Sequence, residues 1–279
     1  MSKTSPWVVL AALSLSLTSS VLASQSTAQR GAKPPAPGKA APAKPAAPAD
    51  PRQVVFEVQN RANATSQHYE GQLSVVDGGK VTEKRWTYDR LGSHGKSKTI
   101  IKFTSPAEVK GVALLIVNYP DRVSEEWMWT PSLGRDRRIA SQDRRTRFFG
   151  TDFSFEDLDE RDVDHHDYTL RGEETIDGAV CWRIESKPRA GMRSQYTRSI
   201  LWIRKNNYTY AQIDNFTDDK LIRRLTYRDV ATVQNIWTPR TIEVQDMARK
   251  SRTTLRLDSL QYNVPLNENQ FTVQALGRG

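Results

Sequence analysis

From about residue 66 onward, apolar and polar residues alternate in long runs. This is the two-residue period of strands with one buried face. Tyr69 to Val76 alternates and stops at Asp77-Gly78-Gly79, a hairpin signal. Lys80 to Leu91 carries Trp86 and Tyr88 on one face, and its arginines and lysines are read as facing away. Gly92 to Gly95 turns the chain and Ser97 to Thr104 returns. Pro106 to Gly111 reads as a single helical turn closed by glycine. Val112 to Asn118 is an apolar run suited to a buried strand, and Ser124 to Thr130 puts Trp127 and Trp129 on one face. Further strands are predicted over His166 to Thr175, Val180 to Lys187, Tyr196 to Arg204, Thr209 to Phe216, Leu221 to Val230, Ile236 to Asp246 and Thr253 to Tyr262. Helical spacing is confined to Pro51 to Ala62, where Asp50 can cap and Val54, Val55 and Val58 share a face, and to a short stretch at Phe155 to Leu158. The expected fold is therefore mainly β (α+β), an antiparallel meander. Such a sheet buries its apolar face by closing into a barrel or by curving, incompletely, over a helix, and either solution leaves a concave apolar cavity.

Residues 134–158 break the alternation. Arg135, Arg137, Arg138, Arg144, Arg145 and Arg147 run into Phe148, Phe149, Phe153 and Phe155. The stretch is too apolar for a solvated loop and too charged for a core strand, so it suits lining or covering something apolar while its flanks stay in water. Trp127, Trp129, Phe148, Phe149, Phe153 and Phe155 are the candidate lining or lid. Arg138, Arg144, Arg145 and Arg147 are candidates for contact with an anionic head group or a partner. The same aromatics would serve equally as ordinary sheet core, and the same arginines as a solvated face or docking patch.

The N-terminus adds a destination. Lys3 precedes the short apolar run Trp7 to Leu17, and Val21-Leu22-Ala23 offers a cleavage site after Ala23, so residues 1–23 read as a cleavable export signal. Residues 24–50 are rich in Ala, Pro and Lys and read as a disordered linker. The remainder, 51–279, is long enough for one domain. The net charge is +9, about half of it in the tail. A mildly basic exported domain suits anionic lipid surfaces or acidic partners rather than nucleic acid. A single cysteine, Cys181, excludes an intrachain disulfide framework.

Three stretches carry a family resemblance: PAEVKG at Pro106 to Gly111 before an apolar strand, EEWMWTPSLGRDRRI at Glu125 to Ile139, and FFGTDFSFEDL at Phe148 to Leu158. Together they resemble the LolA-like outer-membrane lipoprotein-sorting family, in its broader, poorly characterised branch, over most of residues 52–275. The resemblance implies a curved antiparallel half-barrel wrapped over a few helices, LolA/LolB-like, with acyl chains in its cavity. It implies a monomeric periplasmic carrier that receives lipid or lipoprotein from an inner-membrane machine for transfer towards the outer membrane. No catalytic residue is implied. The chain is longer than the best-understood carriers and lacks a lipid-anchoring cysteine.

Other chemistry is weaker. Asp162, Asp164, His165, His166 and Asp167 hold metal-ligating types, but adjacent histidines on a strand point to opposite faces, so no metal and no cofactor is expected. Asp152, Glu156, Asp157, Asp159 and Glu160 are read as partners of the preceding arginines or as a helix N-terminus. A hydrolase would need its nucleophile and carboxylate gathered around one of His68, His94, His165 and His166. The second functional class is an accessory protein that docks on an inner-membrane exporter through its basic surface without carrying cargo.

Overall fold

The computed structural model describes residues 49–277. The expected signal, 1–23, and all but Ala49 and Asp50 of the expected linker lie outside those residues. Asp50 caps the first helix, α1 (Pro51–Arg61), its side chain accepting from the Arg52 backbone N–H at 3.0 Å.

The alternating runs become thirteen strands. In chain order they are β1 (Ser66–Asp77), β2 (Lys80–Ser93), β3 (Lys96–Ser105), β4 (Ala113–Val117), β5 (Glu125–Thr130), β6 (Arg135–Arg138), β7 (His166–Ile176), β8 (Ala179–Pro188), β9 (Arg198–Arg204), β10 (Tyr210–Thr217), β11 (Lys220–Val233), β12 (Ile236–Asp246) and β13 (Ser251–Tyr262). They form one antiparallel sheet in the order β6-β5-β4-β3-β2-β1-β13-β12-β11-β10-β9-β8-β7. Two meanders thus meet at the β1–β13 ladder, where Leu73 faces Leu255. The edges β6 and β7 stay unpaired with each other, so the sheet is an open, curved one rather than a closed barrel. Register shifts in β1, β2, β7 and β10 bend the strands locally.

Alternation divides the sheet into two apolar faces. The concave face carries Leu73, Trp86, Ile101, Phe103, Leu114, Ile116, Ile184, Leu201, Ile203, Val244 and Leu255 in one core, joined by Val54, Val55 and Val58 of α1. The opposite face of β4 and β5 buries Ala113 and Leu115 with Phe271 and Leu276 of the C-terminal segment. That segment shows no periodicity, so it was not anticipated; two single 3-10 turns, at Glu268–Gln270 and Val273–Ala275, shape it. Strand β6 was also missed, because its four residues are all exposed and polar and only pairing with β5 makes it a strand. The wrapping expected over a few helices is met in part. The concave side holds α1 and a largely irregular connection between β6 and β7, with α2 (Phe155–Leu158) a single capped turn.

Gly71 lies opposite Trp86. A Cβ there would sit 2.1 Å from the indole Nε1 and 2.9 Å from a Leu255 methyl. Trp86 is fully buried, so it has no room to retreat. Gly71→Ala is expected to destabilise the fold by about 1–3 kcal/mol, the usual range for overpacking; urea denaturation measures it.

Candidate functional site

The connection from β6 to β7, residues 139–165, crosses the concave face as a strap. Its apolar residues Ile139, Phe148, Phe153, Phe155 and Val163 are buried in the main core. The Phe148 ring stacks 5.3 Å from Phe103, and Phe153 lies 6.2 Å from Trp86. Phe149 and Gly150 take positive φ, which reverses the chain so that the Phe148 N–H donates to the Phe153 carbonyl at 2.8 Å. Phe149 stays half-buried, edge-on to Phe103. The phenylalanines are therefore a wedge that fills part of the hollow. This is the core alternative the spacing allowed.

Polar groups fasten the wedge. Asp152 is 0% exposed. Its carboxylate accepts from Ser251 Oγ at 2.6 Å, Thr253 Oγ1 at 2.8 Å and Arg147 Nη2 at 2.8 Å. Arg147 also donates to the carbonyls of Thr151 and Gly150. Arg144 donates to Glu126 of β5 at 2.7 Å and pairs with Asp159. Asp157 closes a capping box on α2 with Ser154 and accepts from the Tyr196 hydroxyl at 2.7 Å. Burial pushes the Glu126 carboxyl up to about 7 despite Arg144 beside it. Arg144 and Arg147 are thus engaged within the strap's own fastening. Arg138 and Arg145 are exposed, and Arg138 lies 3.2 Å from Glu125.

What the wedge leaves open is a cleft of about 820 Å³ between α1, the strap and β9–β12. Its apolar lining includes Tyr88, Tyr210, Tyr227, Ile213, Leu225 and Ile242. Burial pushes the three phenols up, so they stay neutral. A smaller hollow of about 140 Å³ shares Tyr88, Leu225, Tyr227 and Ile242 with the cleft and reaches Trp86 and Phe153. At the rim, Phe56, Val123 and Met192 are 43%, 55% and 40% exposed.

Of the candidate lining and head-group residues read from the sequence, Arg144 borders the cleft and Phe153 the smaller hollow; the carboxylates of residues 156–164 and His94, His165 and His166 border the cleft as well. Phe148, Phe149 and Phe155 pack in or against the core and border neither. Trp127 and Trp129 are displaced from the site altogether. Their parity puts them on the opposite face, against the C-terminal segment, and a Cβ on Gly277 would touch the Trp129 ring at 2.9 Å. The tyrosines and Arg90 were missed, although one signal existed. Arg90 is in phase with Trp86 and Tyr88, so strict alternation turns it inward rather than away. Asp162 to His165 form the turn into β7, where Asp162 caps the Asp164 N–H at 2.7 Å, and His166 and Asp167 open the strand. Among the described residues, no group of three or more His, Cys, Asp or Glu side chains is placed to hold a metal ion. No described helix is long and apolar enough to cross a membrane.

A model of a family described as uncharacterized matches residues 95–278, about two-thirds of the chain. A solved DUF1329 family protein from Desulfovibrio piger is 28% identical, with TM-score 0.78 over 82% of this chain and 100% of that one. This chain belongs to the DUF1329-like family. DUF1329-like proteins share their fold more widely. A protein described as an outer membrane lipoprotein-sorting domain, from Vibrio parahaemolyticus, gives TM-score 0.77 at 21% identity over 81% of this chain and 98% of that one. A LolA superfamily protein from Nitrosomonas europaea gives 0.63 at 17% over 80% and 98%. The resemblance read from the sequence holds at the level of fold. No curated protein matches the chain.

Two outcomes test the fastening of the DUF1329-like strap. Asp152→Ala strands Arg147, Ser251 and Thr253 without their acceptor and is expected to cost about 3–5 kcal/mol, as breaking a buried charged pair does; chemical denaturation reads the loss. Glu126 has a folded pKa raised above its ordinary value, so its contribution to stability is present below pH 4.5 and is lost as pH rises through about 7. Wild type is expected to lose up to about 3 kcal/mol relative to Glu126→Gln across that window, seen as converging or crossing melting temperatures between pH 4.5 and 8.

Proposed function

We propose that this DUF1329-like protein is a periplasmic carrier that takes acyl chains of lipids or lipoproteins into the cleft for transfer towards the outer membrane. The observation that carries the reading is the join of an apolar rim to an apolar floor. Phe56, Val123 and Met192 stand exposed at the mouth of a cleft whose deeper wall is Tyr88, Ile213, Leu225, Tyr227 and Ile242. Exposed apolar groups clustered on an opening mark a surface that meets something greasy. The volume falls within the roughly 300–1,000 Å³ of small-molecule sites. Each methylene moved from water to such a wall is worth about 0.8 kcal/mol, so even a chain only partly enclosed is held appreciably. The Vibrio protein supports the reading because it shares the fold and carries a lipoprotein-sorting description, and the Nitrosomonas LolA superfamily protein shares the fold.

In this reading the wedge sets depth. Phe148 and Phe153 fill the hollow under β2, β3 and β13, so a tail lies along β9–β12. The phenol hydroxyls give that wall a few polar points, which suits an amphiphile that must leave again.

Protein purified from its own envelope without detergent is expected to yield lipid on organic extraction and mass spectrometry. Ile242→Asp, a charge on the half-buried floor, is expected to lower the recovered lipid at least tenfold with the circular dichroism spectrum unchanged. An extract free of lipid, together with no uptake of a fluorescent long-chain fatty acid by the purified protein, would refute the carrier reading.

A further inference from the structure

The cleft has a polar end, and one group there is unserved. Arg90 projects from β2 into the concave side and is 5% exposed, yet its Nε and Nη2 have no hydrogen-bond partner. Its Nη1 lies 3.7 Å from Glu160 Oε1. Glu160 is occupied elsewhere: it accepts from Ser97 Oγ at 2.9 Å and from the Gly95 N–H at 3.1 Å. The free Nε/Nη2 edge is the side of a guanidinium that grips an oxyanion with two parallel N–H bonds. A buried donor left without a partner carries the full cost of its lost hydration, and two on one cation ask for an acceptor. Beside it, His94 also lines the cleft and neither of its ring nitrogens is bonded. Burial pushes the imidazole pKa down, so the ring is neutral at pH 7 and offers one N–H.

Resting on the carrier reading, we infer that Arg90, with His94 beside it, receives the oxyanion head group of an amphiphile whose tail lies on the Tyr210–Tyr227 wall. A single-tailed phosphate or carboxylate matches the two-pronged edge, and an uncharged head group leaves it bare. Both free nitrogens are shielded from bulk water, so the head group enters by moving side chains aside. His94 makes no hydrogen bond through its ring, so moving it breaks none. The site differs from the arginines first suspected in the strap. Arg144 and Arg147 are already saturated by Glu126, Asp159 and Asp152, whereas Arg90 has its gripping edge free.

Isothermal titration with decyl phosphate, decanol and inorganic phosphate, each below micelle-forming concentration, tests the assignment. Wild type is expected to bind decyl phosphate at least tenfold tighter than decanol. In Arg90→Gln that ratio is expected to fall close to one, and Arg90→Lys to restore part of it. The wild-type ratio needs no variant and keeps the head-group site open to refutation even if Arg90→Gln folds poorly. Equal affinity of wild type for decyl phosphate and decanol overturns the head-group site while leaving the carrier reading intact. A tenfold ratio that survives in folded Arg90→Gln overturns it too. Inorganic phosphate bound as tightly as decyl phosphate replaces it with a site for a tailless anion. No binding of either decyl compound overturns this inference and the carrier reading together.

Discussion

A carboxylate without solvent contact, Asp152, holds the molecule's interior in place. The concave apolar face of an open sheet must be covered, and here the cover is the chain that joins its two free edges. That chain is rich in charge, so hydrophobic burial alone would leave it poorly located. Asp152 locates it: Ser251 and Thr253 reach it from β13, at the seam between the two meanders, and Arg147 reaches it from the strap itself. A buried charge is tolerated only when its lone pairs are used, and this one is used on both oxygens. The position of Phe148 and Phe153, and therefore the size of the space they leave, follows from that anchorage.

The arginine-rich stretch then has a different meaning from the one its composition suggests. Positive charge before a run of phenylalanines looks like a surface that meets an anionic ligand. In the folded protein the arginines of the strap compensate carboxylates of the strap and of β5, so most of the local charge is spent internally. A buried guanidinium with free donors lies elsewhere, on β2, where Arg90 keeps Nε and Nη2 unbonded beside Glu160 and His94. Electrostatic interest in this fold is therefore a matter of which buried donors remain unbonded, and not of where cations are most numerous.

The strands were legible because a two-residue period survives in a one-face-buried sheet, and β1–β5 and β7–β13 appear within a few residues of where alternation puts them. Helix α1 was legible from its cap and its valines. Three parts were not. Strand β6 has no apolar residue to mark it. The C-terminal cover has no period, and its value lies in Phe271 and Leu276 meeting a distant face. The role of Trp127 and Trp129 depended on which side of β5 faced inward, and parity alone cannot say that until neighbouring strands are paired. For the site, residue type and strand position disagree at Arg90: a basic side chain suits solvent, but its phase with Trp86 and Tyr88 turns it inward.

The central ladder has a temporal consequence. β1 begins at Ser66 and its partner β13 ends at Tyr262, so nearly the whole described chain separates the first strand from its neighbour. Every other ladder joins strands adjacent in the chain and can zip as soon as its hairpin is made. During synthesis the two meanders are complete before the seam between them can close, and Leu73 waits uncovered for Leu255. The anchoring hydroxyls of Ser251 and Thr253 arrive at the same late moment, so a chain halted shortly before residue 251 would hold every hairpin but β12–β13 and would lack both the seam and the strap's anchor.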